Sequence, residues 1–375
     1  MRLAIEALGI NRPGGGRVAT LNLLKPLLKL DQQNEYLIYL TAPEPELAGL
    51  HPRARQRIIP IGNRFLARLY AQALLPLEIR RKRIDLIHFV KNQIVSGTGA
   101  RTVATVYDLT TLRHPKVYPA VDVWYWRTVL PRQFKRMNKL IALSESTASD
   151  LVSYYRLPRD RIAVIYPGYD SAYRIAAAQE IQAARQRYGL RDDYFIHVGN
   201  FSLKKNLAML LESFLMFRQR SGFRGKMVFV GANYPKGRDE RFARMLSRDD
   251  VRDAVVHTSH VPQETLMALY SGALAFLFPS LHEGFGLAAL EAMACGAPIV
   301  VHAAGAVQEL VGDAGIVMQS ATDTHAWSQA VERVAASPAL RDRLRQAGLE
   351  RAGLFTAEMT ARRTLNLYRQ VTTAS

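Results

Sequence analysis

The sequence predicts an α/β protein of two parallel-sheet domains, and three observations lead to that prediction. The chain has 375 residues, which exceeds the size at which a single hydrophobic core usually stops growing. Short β-branched runs alternate with stretches of helical period, the pattern of parallel strands covered by helices on both faces. A polar, alanine-rich segment interrupts this alternation at residues 170–192. These features together predict two Rossmann-like domains, each with its own core.

The predicted elements form two series on either side of that segment. The first series has strands at 2–8, 36–40, 57–61, 85–89, 102–109, 139–143 and 162–168, and helices at 17–30, 64–82, 119–137 and 144–155. The second has strands at 194–199, 226–231, 254–259, 274–279, 298–301 and 315–318. We expect domains at 1–170 and 171–355, with a C-terminal helix over 356–375 that packs back on the first domain. Two such sheets facing each other would leave a cleft at the carboxyl ends of their strands, where open α/β sheets bind ligands.

Composition excludes several classes of protein. Hydrophobic residues make up 49% of the chain and charged residues 22%, so disorder does not dominate. The single cysteine, Cys295, excludes an intrachain disulfide and a cysteine-rich zinc site. The N-terminus reads as a first strand and not as a signal peptide, and the longest later apolar stretch is interrupted by Glu291, Gly296 and Pro298. We therefore expect no transmembrane helix and a cytoplasmic protein.

The formal charge of +18 lies almost entirely in the first half. Residues 1–168 hold 26 Lys and Arg against 12 Asp and Glu, whereas the remainder holds 24 against 20. The excess is concentrated at 53–57, 80–83 and 132–136. Such runs suit an anionic membrane surface, a solvated surface or nucleic acid. No nucleic-acid-reading motif accompanies them, so we expect a peripheral position on the inner face of the cell membrane and no nucleic-acid partner.

Residues 119–137 combine aromatic and basic side chains. Trp124, Tyr125 and Trp126 suit the depth of lipid headgroups, and the neighbouring cations suit anionic lipid. Burial of the rings against the sheet, with the charges outward, is the competing interpretation. Pro131 is expected to kink or divide the helix.

The most informative segment of the second half is FPSLHEGFGLAALEAMACGAPIVV at 278–301. Gly284 and Gly286 let the backbone approach a ligand, and the following helix N-terminus favours an anion. Glu283 and Glu291 are eight residues apart, so their carboxylates can accept hydrogen bonds from different hydroxyls of one extended ligand. A plain strand–turn–helix, with Glu291 on a solvent face, is the alternative.

A second turn, HVGNFSLKKNL at 197–207, also links a strand to a helix. Lys204 and Lys205 precede that helix, where a lysine meets phosphate oxygens as a point charge. A sugar and a ribose flanking a diphosphate would suit the two carboxylates and the helix N-terminus. Breaking a sugar–phosphate bond in such a ligand requires that the charge growing on the departing diphosphate be stabilised, which makes Lys205 a catalytic candidate. The alternative is that both lysines are solvated loop residues.

These two turns, followed by GAVQELVGDAG at 305–315, resemble the C-terminal domain of the family 4 retaining glycosyltransferases, which adopt the GT-B fold. The resemblance implies that Glu283 contacts the donor sugar, Glu291 holds the ribose, and the glycine turn and Lys205 hold the diphosphate without a metal. Many members carry an arginine where this chain has Asn200, which leaves more phosphate charge to the lysines. The implied substrate-binding residues of this half are Gly199, Asn200, Lys204, Gly284, Phe285, Gly286, Leu287 and Glu291.

The first half adds weaker matches to the same family. Gly14, Gly15 and Gly16 follow the first strand and resemble its glycine-rich loop, with Arg17 either contacting substrate or solvated. Tyr107 and Asp108 occupy a segment that usually reads His-Asp-Leu, so Tyr107 replaces the histidine that reaches the donor sugar. Tyr107 either donates a hydrogen bond to a sugar hydroxyl or is a buried tyrosine at a strand end.

The resemblance implies metal-independent hexosyl transfer with retention, in which the nucleotide diphosphate sugar is a co-substrate and no cofactor takes part. The second half resembles the mannosyltransferase branch, which implies GDP-mannose as donor, with a UDP-sugar as the alternative. The acceptor implied is a glycan or a lipid-linked oligosaccharide. A non-catalytic protein that binds nucleotide sugars remains a competing hypothesis of a different class.

Overall fold

The computed structural model describes residues 1–11, 14–61, 64–91, 94–113, 115, 118–232 and 239–373. The chain divides into two compact units. Unit 1 comprises Met1–Gly168 together with Thr356–Ser375, and unit 2 comprises Tyr169–Phe355. The chain thus leaves unit 1, forms all of unit 2, and returns.

Within the described residues, unit 1 holds a seven-stranded parallel sheet in the order β3-β2-β1-β4-β5-β6-β7. Its strands are β1 (Arg2–Glu6), β2 (Glu35–Leu40), β3 (Ala54–Ile58), β4 (Leu86–Phe89), β5 (Arg101–Val106), β6 (Lys139–Ala142) and β7 (Ile162–Val164). Its helices before unit 2 are α1 (Gly15–Leu30), α2 (Arg64–Ala73), α3 (Leu75–Arg81), α4 (Thr110–Arg113), α5 (Ala120–Thr128), α6 (Leu130–Phe134) and α7 (Glu145–Tyr155).

Unit 2 is built in the same way, and its described strands form a six-stranded parallel sheet in the order β10-β9-β8-β11-β12-β13. These strands are β8 (Tyr194–Val198), β9 (Lys226–Val230), β10 (Val255–Thr258), β11 (Ala275–Phe278), β12 (Ile299–His302) and β13 (Ile316–Met318). The helices are α8 (Ala178–Arg187), α9 (Leu207–Ser221), α10 (Glu240–Leu246), α11 (Asp249–Arg252), α12 (Gln263–Ser271), α13 (Leu287–Ala294), α14 (Val307–Val311), α15 (Thr324–Ala336) and α16 (Pro338–Ala352).

The last helix, α17 (Ala357–Thr373), belongs to the core of unit 1. Leu365 and Tyr368 are buried there against strands of the sheet. The Tyr368 hydroxyl lies 2.6 Å from Nδ1 of the buried His88, whose Nε2 lies 2.7 Å from Thr105 Oγ1. Both ring nitrogens are therefore satisfied, and burial lowers the pKa of His88 to about 3, so the imidazole is neutral.

The predicted fold class of two Rossmann-like parallel-sheet domains is confirmed, and the local signals behave as their chemistry dictates. The Ser144 hydroxyl caps α7 by accepting a hydrogen bond from the Thr147 amide at 2.9 Å. Pro131 lies in the first turn of α6, so the helix expected over 119–137 is divided into α5 and α6.

Strand β3 is displaced along the chain from its prediction, and β1, β5 and β7 end two to four residues earlier than predicted. Strand β3 spans Ala54–Ile58 instead of 57–61, because its arginine-rich residues form the edge of the sheet and the chain leaves the sheet before Pro60. Charged residues are a common feature of edge strands, where they discourage pairing with other chains. The basic run at 53–57 is thus largely explained by its place in the fold.

The aromatic residues of α5 divide between the two predicted environments, burial in the core and exposure at the surface. Tyr125 and Trp126 pack against the core of unit 1, whereas the Trp124 side chain is 57% exposed. Among the described residues, no helix has both the length and the apolar character needed to cross a bilayer.

Candidate functional site

The strand order of unit 2 reverses between β8 and β11, and the turns that follow these two strands lie together. The Leu281 amide donates a hydrogen bond to the Lys204 carbonyl at 2.8 Å, which joins the two turns directly. Ligands of open α/β sheets bind at the carboxyl ends of the strands where the order reverses. The two glycine-bearing turns singled out in the sequence therefore meet at the expected place.

Three charged side chains of these turns form one cluster. Lys205 Nζ lies 2.7 Å from Glu283 Oε1, and Lys204 Nζ lies 3.5 Å from Glu283 Oε2. Lys205 also lies over the ring of Phe278, with Nζ 4.6 Å from the ring centroid. The structure thus brings the two adjacent lysines together with Glu283, which lies 78 residues after Lys205 along the chain.

Burial and pairing set the charge of this cluster. Burial alone would raise the pKa of Glu283, but Lys204 and Lys205 outweigh it and lower that pKa to about 2. Burial also lowers the pKa of Lys205, and Glu283 offsets only part of this effect. The cluster therefore carries an ionised carboxylate and a partly desolvated ammonium. The ammonium is suited to binding a negatively charged phosphate.

His197, in β8, lies beside this cluster and was not identified from the sequence. Its Nδ1 lies 2.9 Å from the Leu277 carbonyl, while its buried Nε2 has no hydrogen-bond partner among the described residues. Burial, and then the charge of Lys205, lower the pKa of His197 to about 3. A histidine inside the otherwise apolar strand YFIHV was the signal that could have identified it.

Gly286 and Gly305 give this site its backbone geometry. Gly286 has φ of 102° and precedes the first residue of α13, Leu287, so a left-handed residue aligns the turn with the helix N-terminus. At Gly305, which has φ of 59°, a Cβ would lie 2.3 Å from the Glu283 carbonyl oxygen. Only glycine allows that approach, and the Ala306 amide then donates to the same carbonyl at 3.1 Å.

The other predicted residues of the two turns have different surroundings. The Phe285 side chain is buried and packs edge-on against Phe355, with ring centroids 5.6 Å apart. The phenyl ring is thus part of the buried core of unit 2. Gly199 has φ of 154°, and Asn200, which follows it, is partly buried.

Glu291 lies inside α13, away from the solvent face proposed as one alternative. It is buried, and Tyr173 and Asp170 face it. Burial raises the pKa of Glu291 to about 8, and Asp170 adds to this effect, whereas the Tyr173 hydroxyl opposes it by hydrogen bonding. Glu291 and Glu283 therefore share a helix–turn segment but have opposite protonation tendencies.

In unit 1, the glycine turn leads into α1 as expected. Gly14, with φ of 133°, is the N-cap residue, Gly15 and Gly16 form the first positions of the helix, and open space surrounds Gly14 and Gly15. Arg17 forms ion pairs with Glu44 and Glu46, the latter at 3.1 Å. This pairing, in which the carboxylates balance the charge of the guanidinium, was not among the alternatives considered for Arg17, a substrate contact or a solvated side chain.

Tyr107 and Asp108 have local partners. The Tyr107 hydroxyl lies 3.0 Å from Thr20 Oγ1, and burial raises the pKa of Tyr107 to about 12. The side chain is partly buried and packs against the core of unit 1, and its contact with a sugar hydroxyl stays a prediction. Asp108 Oδ1 accepts a hydrogen bond from the Thr110 amide at 2.9 Å, which stabilises the start of α4.

Glu6 and Lys91 lie at the equivalent reversal of strand order in unit 1, between β1 and β4, and the sequence did not single them out. Glu6 is fully buried, with Oε1 accepting from the Leu8 amide at 3.1 Å and Oε2 without a partner among the described residues. Burial raises the pKa of Glu6 to about 8, although the Leu8 amide and Lys91 oppose this. Lys91 Nζ donates to the Gly9 carbonyl at 2.6 Å.

The described residues contain no cluster of three or more His, Cys, Asp or Glu side chains arranged to hold a metal ion.

Comparison with known families matches both halves of the chain. Residues 13–173 match the model of Glycosyltransferase Family 4, and residues 179–351 match the model of Glycosyl transferases group 1. The two matches lie side by side and correspond to units 1 and 2.

Curated relatives carry glycosyltransferase names. O-antigen chain mannosyltransferase B of Escherichia coli is 27% identical over 286 residues, which cover 76% of this chain and 74% of that protein. Serotype-specific mannosyltransferase WbdA of Escherichia coli is 30% identical over 218 residues, covering 56% of this chain but only 26% of WbdA. A D-inositol 3-phosphate glycosyltransferase of Nocardioides sp. is 32% identical over 248 residues, covering 62% of this chain and 54% of that protein.

Solved structures share the fold at low sequence identity. A sucrose-phosphate synthase from Thermosynechococcus elongatus superposes over 100% of both chains with a TM-score of 0.80 and 21% identity. WaaG, a glycosyltransferase of lipopolysaccharide biosynthesis, superposes over 100% of both chains with a TM-score of 0.76 and 14% identity. With two parallel-sheet units, family matches along nearly the whole chain and these neighbours, the chain belongs to the family 4 glycosyltransferases of the GT-B fold.

Proposed function

We propose that this glycosyltransferase transfers mannose from GDP-mannose, with retention and without a metal, to a hydroxyl of a glycan or lipid-linked oligosaccharide. The observation that carries the proposal is the cluster of Lys204, Lys205 and Glu283 beside the N-terminus of α13. Unit 2 binds the donor and unit 1 binds the acceptor.

In the proposed reaction, the bond between the anomeric carbon and the diphosphate oxygen breaks as the acceptor oxygen attacks from the same face. The acceptor proton passes to the departing diphosphate, so no further base is needed. Lys205 compensates the charge that grows on the diphosphate, and preorganised groups of this kind contribute strongly to catalysis. Glu283 accepts hydrogen bonds from the sugar hydroxyls, and Glu291 accepts them from the ribose.

Support for mannose comes from the relatives. Both Escherichia coli proteins are named as mannosyltransferases, at 27% and 30% identity. Because these identities are modest and the relatives also include inositol phosphate glycosyltransferases, the donor must be tested directly.

The test is a panel of GDP- and UDP-sugars, each measured for binding by isothermal titration and for nucleotide release with and without mannoside acceptors. We expect GDP-mannose to bind and to release GDP faster when an acceptor is present. Turnover with a UDP-sugar alone would identify the other donor class. Binding of a nucleotide sugar without any release of nucleotide would point to a non-catalytic binding protein.

We also propose that unit 1 associates with an anionic membrane surface through α2 and α3. Leu66, Leu69, Leu74 and Leu77 are each more than half exposed, an unusual density of apolar side chains on a helical segment. The exposed basic run at 80–83 follows them directly. Apolar side chains beside Lys and Arg are typical of segments that lie in the membrane interface.

Vesicle sedimentation tests this association. Each basic residue near an anionic surface contributes about 1 kcal/mol, so neutralising Arg80, Arg81, Lys82 and Arg83 should markedly weaken binding to vesicles rich in anionic lipid. Replacing Leu74 and Leu77 by serine should weaken it further. As a matched control, neutralising four exposed arginines of unit 2 should have little effect: Arg187, Arg191, Arg224 and Arg252. Equal binding to neutral and anionic vesicles would contradict the proposal.

A further inference from the structure

The wall of the charged cluster in unit 2 contains a buried imidazole whose polarity packing does not explain. His197 stacks on Phe276 and Phe278, with interplanar angles of 10° and 20°. A hydrocarbon ring would fill this aromatic stack equally well, and burying a polar group is costly unless it is hydrogen-bonded. The imidazole therefore points to a polar task at this position.

The hydrogen bonds of His197 fix which nitrogen carries the proton. Nδ1 lies 2.9 Å from the Leu277 carbonyl, which can only accept, so Nδ1 is the donor. Because the ring is buried and beside Lys205, it is neutral, and Nε2 presents an unprotonated lone pair. That lone pair has no hydrogen-bond partner among the described residues.

The lone pair and the Lys205 ammonium border the same point in space. A Cβ built on Gly199 would lie 3.5 Å from His197 Nε2, 3.3 Å from Lys205 Cε and 3.6 Å from Lys205 Nζ. The absence of a side chain at Gly199 leaves room between them. Rotation about the side-chain bonds of Lys205 moves its ammonium within this space, toward or away from Nε2.

Such a movement has a reason in the reaction cycle. In the structure, Lys205 donates to Glu283 at 2.7 Å. When the hydroxyls of a donor sugar donate hydrogen bonds to the Glu283 carboxylate, they replace the Lys205 ammonium, which then lacks this partner. A neutral acceptor such as Nε2 then holds the ammonium without cancelling its charge, whereas a second carboxylate would compete with the phosphate.

We propose that His197 is a positioning residue that holds the Lys205 ammonium at the donor diphosphate when Glu283 turns to the sugar. This inference rests on the proposed function, because it assigns Lys205 to the leaving group. Within the described residues, two charged groups face Lys205 in the structure. Glu283 favours the charged form of the lysine, whereas Lys204 opposes it, as does burial.

The test is the pH profile of kcat and kcat/KM, measured with the nucleotide sugar that the wild-type protein turns over. His197→Phe keeps the aromatic stack but removes the acceptor, so the ammonium loses its proton more readily. We expect the alkaline limb to move by about one pH unit to lower pH, the size of one hydrogen bond to a charged group. We expect kcat to fall and the KM for the donor to change little.

Two further variants separate positioning from packing. His197→Gln places an amide oxygen near the position that Nε2 occupies in the wild-type protein and should restore most of the alkaline limb. His197→Met takes the place of His197→Phe if that variant does not fold. His257→Phe, an exposed histidine of the same sheet, is the matched control and should leave the profile unchanged.

An alkaline limb that stays in place in both His197→Phe and His197→Met would overturn the inference, as would an equal shift in the Gln variant. Lys205→Ala distinguishes this failure from failure of the proposed function. If Lys205→Ala lowers kcat while the His197 variants do not move the limb, only the role of His197 is wrong. If Lys205→Ala retains full kcat, the leaving-group assignment itself is wrong.

Discussion

Each unit places a carboxyl group beside the reversal of its strand order, but the two groups have opposite protonation tendencies. In unit 1, Glu6 ends β1, one of the two strands at the reversal, and burial outweighs the Leu8 amide and Lys91, so its pKa rises to about 8. In unit 2, Glu283 follows the central strand β11, and two lysines outweigh burial, so its pKa falls to about 2. The difference shows that topology determines where a charged group lies, while the number of nearby cations determines its protonation.

Glu291 shows that this contrast is local and does not belong to the units as wholes. It lies in the helix that follows Glu283, yet its pKa rises to about 8, as in Glu6, because burial and then Asp170 raise it while the Tyr173 hydroxyl opposes them only in part. A site of this kind can therefore combine an ionised and a protonated carboxyl group within one strand–turn–helix segment.

The largest effect on activity and stability is expected from substituting Glu283, the carboxylate that is ion-paired with lysine. Glu283→Ala removes the proposed sugar contact and leaves two lysines without their carboxylate partner, which should abolish most turnover and cost about 3 kcal/mol of unfolding free energy. Urea unfolding and initial rates measure the two losses. Glu283→Gln, which keeps the volume, is the companion variant and should lose activity with a smaller loss of stability. Near-normal transfer by either variant would contradict the assignment.

Lys205→Ala tests the cation that lowers the pKa of Glu283. We expect kcat to fall by roughly 10²–10³, the cost of removing one donor that stabilises developing charge. Steady-state kinetics separate this from weaker donor binding, which would raise KM alone. Lys204→Ala is the matched control, because its ammonium lies farther from Glu283, at 3.5 Å against 2.7 Å, and should have a smaller effect.

The opposite pKa shifts predict opposite pH dependences of stability. The folded-state pKa of Glu6 is raised to about 8 from 4.5, so its contribution is fully present below pH 4.5 and is lost as the pH rises through 8. The folded-state pKa of Glu283 is lowered to about 2, so its contribution is present above pH 4.5 and is lost as the pH falls through 2.

Urea unfolding of variants across pH measures these slopes. Glu6→Gln should flatten the decline in unfolding free energy between pH 5 and 8, whereas Glu283→Gln should leave that decline unchanged. Asp31→Asn controls for the loss of a buried carboxylate elsewhere in unit 1, since hydrogen bonds from Tyr36 and Asn34 lower the pKa of Asp31 despite burial. A wild-type slope in Glu6→Gln would show that Glu6 is ionised in the folded protein.

The smallest expected effect is that of chelation. Because lysine side chains and a helix N-terminus are proposed to neutralise the diphosphate, EDTA should leave the transfer rate unchanged. Activity abolished by EDTA and restored by magnesium would show that a metal performs the role assigned to Lys205.

Local sequence signals predicted most of the fold. Apolar runs located the strands of both sheets, Ser144 located the start of α7, and Pro131 located the break between α5 and α6, because each acts on its immediate neighbours. The E-x7-E spacing and the glycine turns likewise located the segment around Glu283 and Glu291.

Partners that are distant in the sequence were not predictable in this way. Arg17 looked available to a substrate until the fold placed Glu44 beside it. His197 and Lys91 gained significance only from contacts with segments distant in the sequence, at Leu277 and Gly9. Phe285 lies in a functional turn, yet its side chain packs into the core. Pairing across a sheet depends on the complete topology, which no local pattern of residue types contains.

The return of the chain to unit 1 has a consequence for the order in which the protein forms during synthesis. His88 and Tyr368, which contact each other in unit 1, are separated by 280 residues. Unit 2 is continuous in sequence and is complete before the ribosome has made α17. The core of unit 1 is therefore complete only after α17 has been synthesised. Truncation before residue 357 should leave an incompletely folded first unit attached to a folded second one.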